Sequence, residues 1–168
     1  DLNKNSEPTT ITFMDRGDYR LPEINEHFLT IQNRDQQEIL AVARKDKSSE
    51  LIKGAKYYQW SESGTEMIFG NDYELWVYRP MEKTSRYVLF TRVSSPLTST
   101  AWYPVESHLF YVEGGLIRVV ENIEKDGLIF NLGQFEEATE LFINKKGDKV
   151  FFTGTVAKTA GLYKLEIQ

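Results

Sequence analysis

Residues Tyr57 to Tyr78 read YYQWSESGTEMIFGNDYELWVY, and the reading of this stretch decides the fold. Tyr57–Trp60 is aromatic, Ser61–Thr65 is small and polar around Gly64, Met67–Phe69 is apolar, and Glu74–Tyr78 is again apolar after the pair Asn71-Asp72. Runs of aromatic and aliphatic residues of this length, bounded by turn-forming residues, predict three short strands joined by two tight turns.

The pattern recurs along the chain. Trp60-Ser-Glu-Ser-Gly64-Thr-Glu-Met-Ile-Phe69 aligns with Trp102-Tyr-Pro-Val-Glu106-Ser-His-Leu-Phe-Tyr111 and with Ile143-Asn-Lys-Lys-Gly147-Asp-Lys-Val-Phe-Phe152. A weaker copy is Leu21-Pro-Glu-Ile-Asn25-Glu-His-Phe-Leu-Thr30, so the anchors Leu21, Trp60, Trp102 and Ile143 stand 39, 42 and 41 residues apart. That period is near the length of a four-stranded propeller blade and outside the range of the common helical repeats. The expectation is an all-β propeller of about four blades. Its repeat units fall at about residues 16–50, 51–93, 94–132 and 133–168, after a linker at 1–9.

Each complete copy supplies an inner strand, a second strand, a hairpin to a third strand, and an outer strand. In the first copy Phe28–Gln32 and Glu38–Ala43 flank a turn at Asn33–Gln36, and Arg44–Glu50 reads as a charged connection at an exposed edge. Tyr87–Val93 is the outer strand of the second copy. In the third, Leu109–Glu113 and Leu116–Glu121 flank Gly114-Gly115, a pair suited to the positive φ of a two-residue turn, and Leu128–Leu132 is the outer strand. Phe135–Phe142 has some helix propensity, but the repeat register makes it an inner strand. The last hairpin is expected at Val150–Thr153 and Leu162–Ile167, across a long loop at residues 155–161. The fourth copy thus ends after its third strand, while Thr10–Met14 is an outer-type strand without a partner. Closure of the last blade by that strand, with Ile11 and Phe13 inward, is expected. The alternatives are part of a larger ring of about six to eight blades, or two copies of the chain building one ring.

Composition narrows the function. With 25 acidic against 20 basic residues, the net charge of −5 leaves no footprint for nucleic acid or an anionic membrane surface. The absence of cysteine excludes disulfides, thiolate catalysis and cysteine-based zinc sites. No apolar run reaches the length of a membrane span or a signal-peptide core. The chain opens at Asp1 rather than Met, which fits a processed mature form or an excised domain.

WSESGTEMIF, INKKGDKVFF and, less closely, WYPVESHLFY resemble the Trp-Ser-Pro-Asp-Gly-Lys-x-Ile-x-Phe repeat of TolB-like, WD40-like propellers. They are also similar to the propeller domains of prolyl oligopeptidase and dipeptidyl peptidase IV relatives. The likeness runs from about Thr10 to Gln168, with departures at Ser61-Glu62, at Tyr103-Pro104, and in the first copy, which lacks both Trp and Gly. It implies a non-catalytic module for protein or peptide partners, in a periplasmic or extracellular setting. Alternatively it implies an accessory propeller beside a hydrolase or peptidase domain. Function in such folds resides in sites grafted on the scaffold.

Residues able to carry chemistry mostly have plainer readings. His27 and His108 share a repeat position at the start of a second strand, where as a metal pair they would need a third and a fourth ligand, and they read as surface-strand residues. No G-x-S-x-G elbow, H-E-x-x-H motif or Gly-rich phosphate loop is present. Pairs such as Glu136-Glu137 and Glu121/Glu124 suit a solvated face, Arg16-Gly17-Asp18 reads as a β-turn, and Asp35, Asp72 and Asp148 lack the dense oxygen ligands of a calcium loop. No cofactor or metal is expected. Tyr57, Trp60, Trp102, Phe110, Phe130 and Phe151 read as core between blades. In a propeller the second-to-third hairpins share one face with the loops from outer to next inner strands, and inner strands line a channel. Those loops gather residues 16–18, 53–56, 94–99 and 133–137 with Arg34, Asp35, Asn71, Asp72, Tyr73 and Lys158. The channel set is Tyr19, Tyr58, Thr100 and Leu141, or else Asp18, Tyr57, Ser99 and Glu140. A concave site with aromatic walls and a few polar groups is the expected ligand position.

Overall fold

A computed structural model describes residue 10 and residues 13–123 and 127–167, the side chains of residues 21–23 excepted. Among the described residues every regular element is a strand and every pairing is antiparallel. The chain divides into two compact units, Asp1–Lys53 and Gly54–Gln168.

The first unit is one sheet of β1 (Tyr19–Ile24), β2 (Phe28–Asn33), β3 (Glu38–Ala43) and β4 (Ser49–Lys53), in chain order. Strand alternation puts Phe28, Thr30, Ile39 and Ala41 on a fully buried face, with Ile31 and Val42 buried on the other. Three sequence expectations change here. The outer strand is Ser49–Lys53, so the sheet runs to Lys53 and the charged segment before it is only the turn between β3 and β4. Ile24 pairs with Leu29 as Trp60 pairs with Met67, so Ile24, 69% exposed, holds the place assigned to Leu21. The reason is a shorter turn, closed by Asn25, whose Oδ1 accepts the N–H groups of His27 at 2.8 Å and Phe28 at 2.7 Å. That shortening puts Phe28, not His27, in register with His108.

The second unit holds three sheets. β5 (Tyr57–Trp60), β6 (Met67–Gly70), β7 (Glu74–Tyr78) and β8 (Tyr87–Arg92) form one, and β9 (Leu97–Trp102), β10 (His108–Glu113), β11 (Leu116–Glu121) and β12 (Ile129–Gln134) the next. The last has three described strands, β13 (Glu137–Ile143), β14 (Lys149–Val156) and β15 (Thr159–Glu166). Phe135–Phe142 therefore contributes a strand and no helix, as the repeat register requires.

The turn from inner to second strand repeats bond for bond. Ser61, Tyr103 and Asn144 donate their N–H groups to the carbonyls of Glu66, His108 and Lys149, and accept from the N–H groups of Gly64, Glu106 and Gly147 at 2.8–2.9 Å. The last three residues all lie in the left-handed region, with φ of 69°, 59° and 74°. Glu106 occupies the glycine position because its carboxylate gains bonds from Ser63, N–H at 2.7 Å and Oγ at 3.0 Å, that offset its backbone strain.

Apolar side chains seal adjacent sheets. Ile68, Leu75 and Val77 of one pack with Leu97, Trp102, Leu109, Tyr111 and Val120 of the next. Phe110, Val112 and Ile117 on the reverse of that sheet meet Ile143, Val150 and Phe152. Burial of such side chains is worth about 1.5–3 kcal/mol each.

Other expectations are corrected. The last hairpin has eight-residue strands and a two-residue turn at Ala157-Lys158, with φ of 47° and 64°, in place of the long loop. Phe130 is 48% exposed because it lies on the rim strand β12, and Phe151 is half-buried on the face of the last sheet that points away from its neighbour. Ile11 and Thr12 of the expected closing strand lie outside the described residues, and Phe13, expected inward, is 91% exposed.

Candidate functional site

In the second unit, the three second-to-third hairpin turns lie on one face, each bonded to the strand connection beside it. Val93 and Leu97 donate N–H groups to the carbonyls of Tyr73 and Asp72, at 3.0 and 2.7 Å. Ser94 and Ser95 donate theirs to Glu113 Oε1 at 3.0 and 3.3 Å, just before the turn Gly114-Gly115. Phe135 donates to the Gly115 carbonyl at 3.0 Å, and Lys158 donates to Glu136 Oε1 at 3.1 Å. Turn and connection alternate across the face, and each fixes the next.

Glu113 is the residue that sequence reasoning passed over. It is 8% exposed, and Arg118 Nη1 lies 2.8 Å from its Oε2. Burial of a carboxylate requires such partners, and here they clamp Ser94-Ser95 to the platform. Its signal in the sequence was only a Glu before Gly-Gly with an Arg on the returning strand.

Asn71, Asp72 and Tyr73 come together with Tyr57 and Lys56. Asn71 Oδ1 accepts the N–H groups of Tyr73 and Glu74 at 2.8 and 3.0 Å, which shapes the turn. Tyr57 Oη donates to the Asn71 carbonyl at 3.2 Å, and its ring packs on the core. Burial pushes the Tyr57 phenol above its ordinary value, and the Asp72 charge pushes it further the same way, so the hydroxyl stays protonated as a donor. Asn71 and Tyr57 therefore hold the turn, whereas Asp72 and Tyr73 are presented. Lys56 Nζ meets Asp72 Oδ1 at 2.5 Å, and Tyr73 is 51% exposed.

The inner-strand candidates separate. Ser99 Oγ accepts the Leu141 N–H at 2.9 Å, and Thr98 Oγ1 donates to the Ala138 carbonyl at 3.0 Å, so β9 and β13 are bonded to each other. Thr100 is half-buried opposite Tyr111, Tyr58 is half-buried opposite Phe69, and Leu141 packs into the core. Glu140 is exposed. In the first unit, Asp18 donates its N–H to Asp35 Oδ2 at 3.0 Å, and Tyr19 Oη donates to the Asp15 carbonyl at 2.8 Å. The anchors are structural: Trp60 and Ile143 are buried, and Trp102 Nε1 donates to the Gln59 carbonyl at 3.2 Å. His108 bonds Ser107 at 2.9 Å, and among the described residues no group of three acidic, His or Cys side chains is placed to hold a metal. No helix among them is long and apolar enough to cross a membrane.

No protein-family model and no curated protein matches the sequence. Solved structures do match. Kluyveromyces lactis Hsv2p aligns at TM-score 0.69 with 14% identity, covering 90% of this chain and 50% of that one. The β-propeller domain of Myceliophteria thermophila Cps50 (Swd1) aligns at TM-score 0.68 with 12% identity, covering 92% and 57%. The fold is that of a β-propeller. Its sheets are blades, numbered one to four in chain order, and the chain spans about half the length of each matched structure. The likeness establishes the propeller and no subfamily.

Proposed function

We propose that this propeller chain is a non-catalytic binding module that holds a protein or peptide on the face built by Asn71–Tyr73, Ser94-Ser95, Gly114-Gly115 and Lys158. The observation that carries this reading is the presentation of Tyr73. An exposed aromatic ring stands beside the Lys56–Asp72 ion pair, on a turn whose carbonyls and side-chain acceptors are already bonded. A rigid, amphipathic ring flanked by both charge signs recognises peptide groups at small entropic cost. Ser94 Oγ on this face donates to Glu113 Oε1 at 3.3 Å, and that carboxylate also takes the N–H groups of Ser94 and Ser95 and faces Arg118, an arrangement that suits holding the loop in place. The TolB-like resemblance supports the same reading and favours an extracytoplasmic setting.

The test is site-specific photocrosslinking from position 73 in the intact protein, with position 128 on a different loop as control. A partner captured from position 73 and lost on Lys56→Glu, with position 128 silent, is the expected result. Equal capture from both positions would remove the face from consideration.

A further inference from the structure

Blade one carries a groove of its own, about 190 Å³ in volume, lined entirely by residues of the first unit. Its floor follows from strand register. Ile31, Leu40 and Leu51 are cross-strand partners and form one apolar row, and two residues further along the same face Tyr19, Asn33 and Glu38 form the next. Phe13, Met14 and Asp15 build the remaining wall. Bonds within the chain fix the approach to β1: Tyr19 Oη donates to the Asp15 carbonyl at 2.8 Å, the Asp18 N–H to Asp35 Oδ2 at 3.0 Å, and the Arg34 N–H to the Asp18 carbonyl at 3.0 Å. The wall is therefore preorganised.

The charge in the groove has one sign. Among the described residues that line it, the charged ones are the carboxylates of Asp15 and Glu38. The lining amides are already engaged, since Asn33 Nδ2 donates to Gln36 Oε1 at 3.1 Å and the Gln36 N–H to Asn33 Oδ1 at 3.2 Å. Glu38 has an 18% exposed side chain and faces Lys53 Nζ at 3.6 Å, with the Lys53 side chain 74% exposed. That separation is too long for a hydrogen bond, and a pair with so exposed a partner is weak. Glu38 thus keeps its acceptor capacity at the edge of an apolar floor.

We infer that this groove takes an arginine side chain of a partner polypeptide. The methylene stem lies along Ile31, Leu40 and Leu51, and the guanidinium meets the carboxylates of Glu38 and Asp15 beside the rings of Tyr19 and Phe13. Arginine suits the site better than lysine because its planar fork matches a carboxylate, stacks on aromatic faces and is less strongly hydrated. The volume is below the roughly 300–1,000 Å³ of small-molecule sites, a size for one side chain. A polypeptide fits better than a free guanidinium, because Phe13, Met14 and Leu51 are 91%, 47% and 49% exposed and offer apolar surface to the residues flanking the arginine. The groove belongs wholly to the first unit and the recognition face proposed above wholly to the second, so the two readings stand or fall separately.

Titration of the whole, isotopically labelled chain with the blocked peptide acetyl-Leu-Arg-Leu-amide, followed by amide NMR spectra, tests the inference. Saturable shifts at Ile31, Glu38, Leu40 and Leu51 are expected, and the same peptide with glutamine at its centre should give none. Glu38→Gln and Asp15→Asn should each weaken binding about three- to tenfold. The spectra also show whether each variant is folded, and were one to unfold the other decides. Lys53→Gln should tighten binding by removing the competing cation, a gain that a merely structural Glu38 would not produce. No shifts at these residues up to millimolar peptide, equal binding of the glutamine peptide, or variants that bind like the unaltered chain would overturn the inference. Propylguanidinium bound as tightly as the peptide would overturn the polypeptide as occupant, and an equally tight lysine peptide would overturn the guanidinium. Shifts confined to Asn71–Tyr73 would overturn this site and leave the recognition face standing.

Discussion

Between blades two and three, Trp102 reaches across to the Gln59 carbonyl, and Arg79 donates to Glu66 Oε1 at 3.1 Å and to Asn122 Oδ1 at 2.9 Å. Asn122 Nδ2 returns to Glu66 Oε2 at 2.9 Å and to the Glu106 carbonyl at 2.8 Å, closing a polar ring across the seam. Between blades three and four the seam is Phe110, Val112 and Ile117 against Val150 and Phe152, with two hydroxyl bonds joining the inner strands. Both seams have an apolar core; the first adds a polar ring that includes the charged Arg79 and Glu66, and the second only two neutral hydroxyl bonds. The same repeat register tolerates both, because what it fixes is which side chains face the junction and not the chemistry that seals it.

The largest effects should come from the apolar part of each seam. Phe152→Ala and Trp102→Ala are each expected to cost about 3–5 kcal/mol, measured by urea denaturation. A Trp102 variant with an unchanged midpoint would mean that the indole does not seal its seam. Arg79→Ala should cost about 1.5–3 kcal/mol, since it leaves Glu66 and Asn122 with unmade bonds to a charged partner, and the loss should persist at high salt because the Arg79 side chain is 10% exposed. Near-zero cost would reduce the polar ring to decoration and make the two seams equivalent.

Smaller effects sharpen the comparison at the repeated turn. Gly147→Ala should destabilise by at least about 1–2 kcal/mol, the cost of a left-handed backbone for an L residue, and its methyl would meet the Tyr103 ring. A neutral result would mean that Tyr103 moves freely and does not belong to the seam.

The smallest effect is in acid. The Glu74 carboxyl is held below its ordinary value of 4.5, first by its hydrogen bond from Arg92, at 2.8 Å, and then by that from Trp76, at 3.1 Å. A group lowered on folding contributes stability above its unfolded value and loses it as pH falls through the folded one. Stability should therefore decline below about pH 4.5, and Glu74→Gln should flatten that part of the profile slightly. An identical profile for the variant would place the acid sensitivity elsewhere.

Residues Trp60–Phe69, Trp102–Tyr111 and Ile143–Phe152 made the blade legible because a strand of period two next to a turn that demands positive φ leaves few local solutions. Those constraints lie within ten residues, so the chain itself determined the strands, the Gly114-Gly115 hairpin and the inner-strand assignment of Phe135–Phe142. Where a turn changed length the local pattern misled. Asn25 closes a shorter turn than Gly64 does, and the anchor moved from Leu21 to Ile24. The tertiary structure alone decided which polar groups are spent on holding the fold. Tyr57, Asn71 and Ser99 have the same residue types as a ligand site would, and only their bonds to Asn71, Tyr73 and Leu141 reveal that they are engaged. Burial of Glu113 against Ser94 and Ser95, and exposure of Phe142 and Leu162 on a strand pattern that elsewhere means core, depend on what packs across some 20 to 40 residues of intervening chain. Sequence sets the direction in which a side chain points; whether anything meets it there is a property of the neighbouring blade.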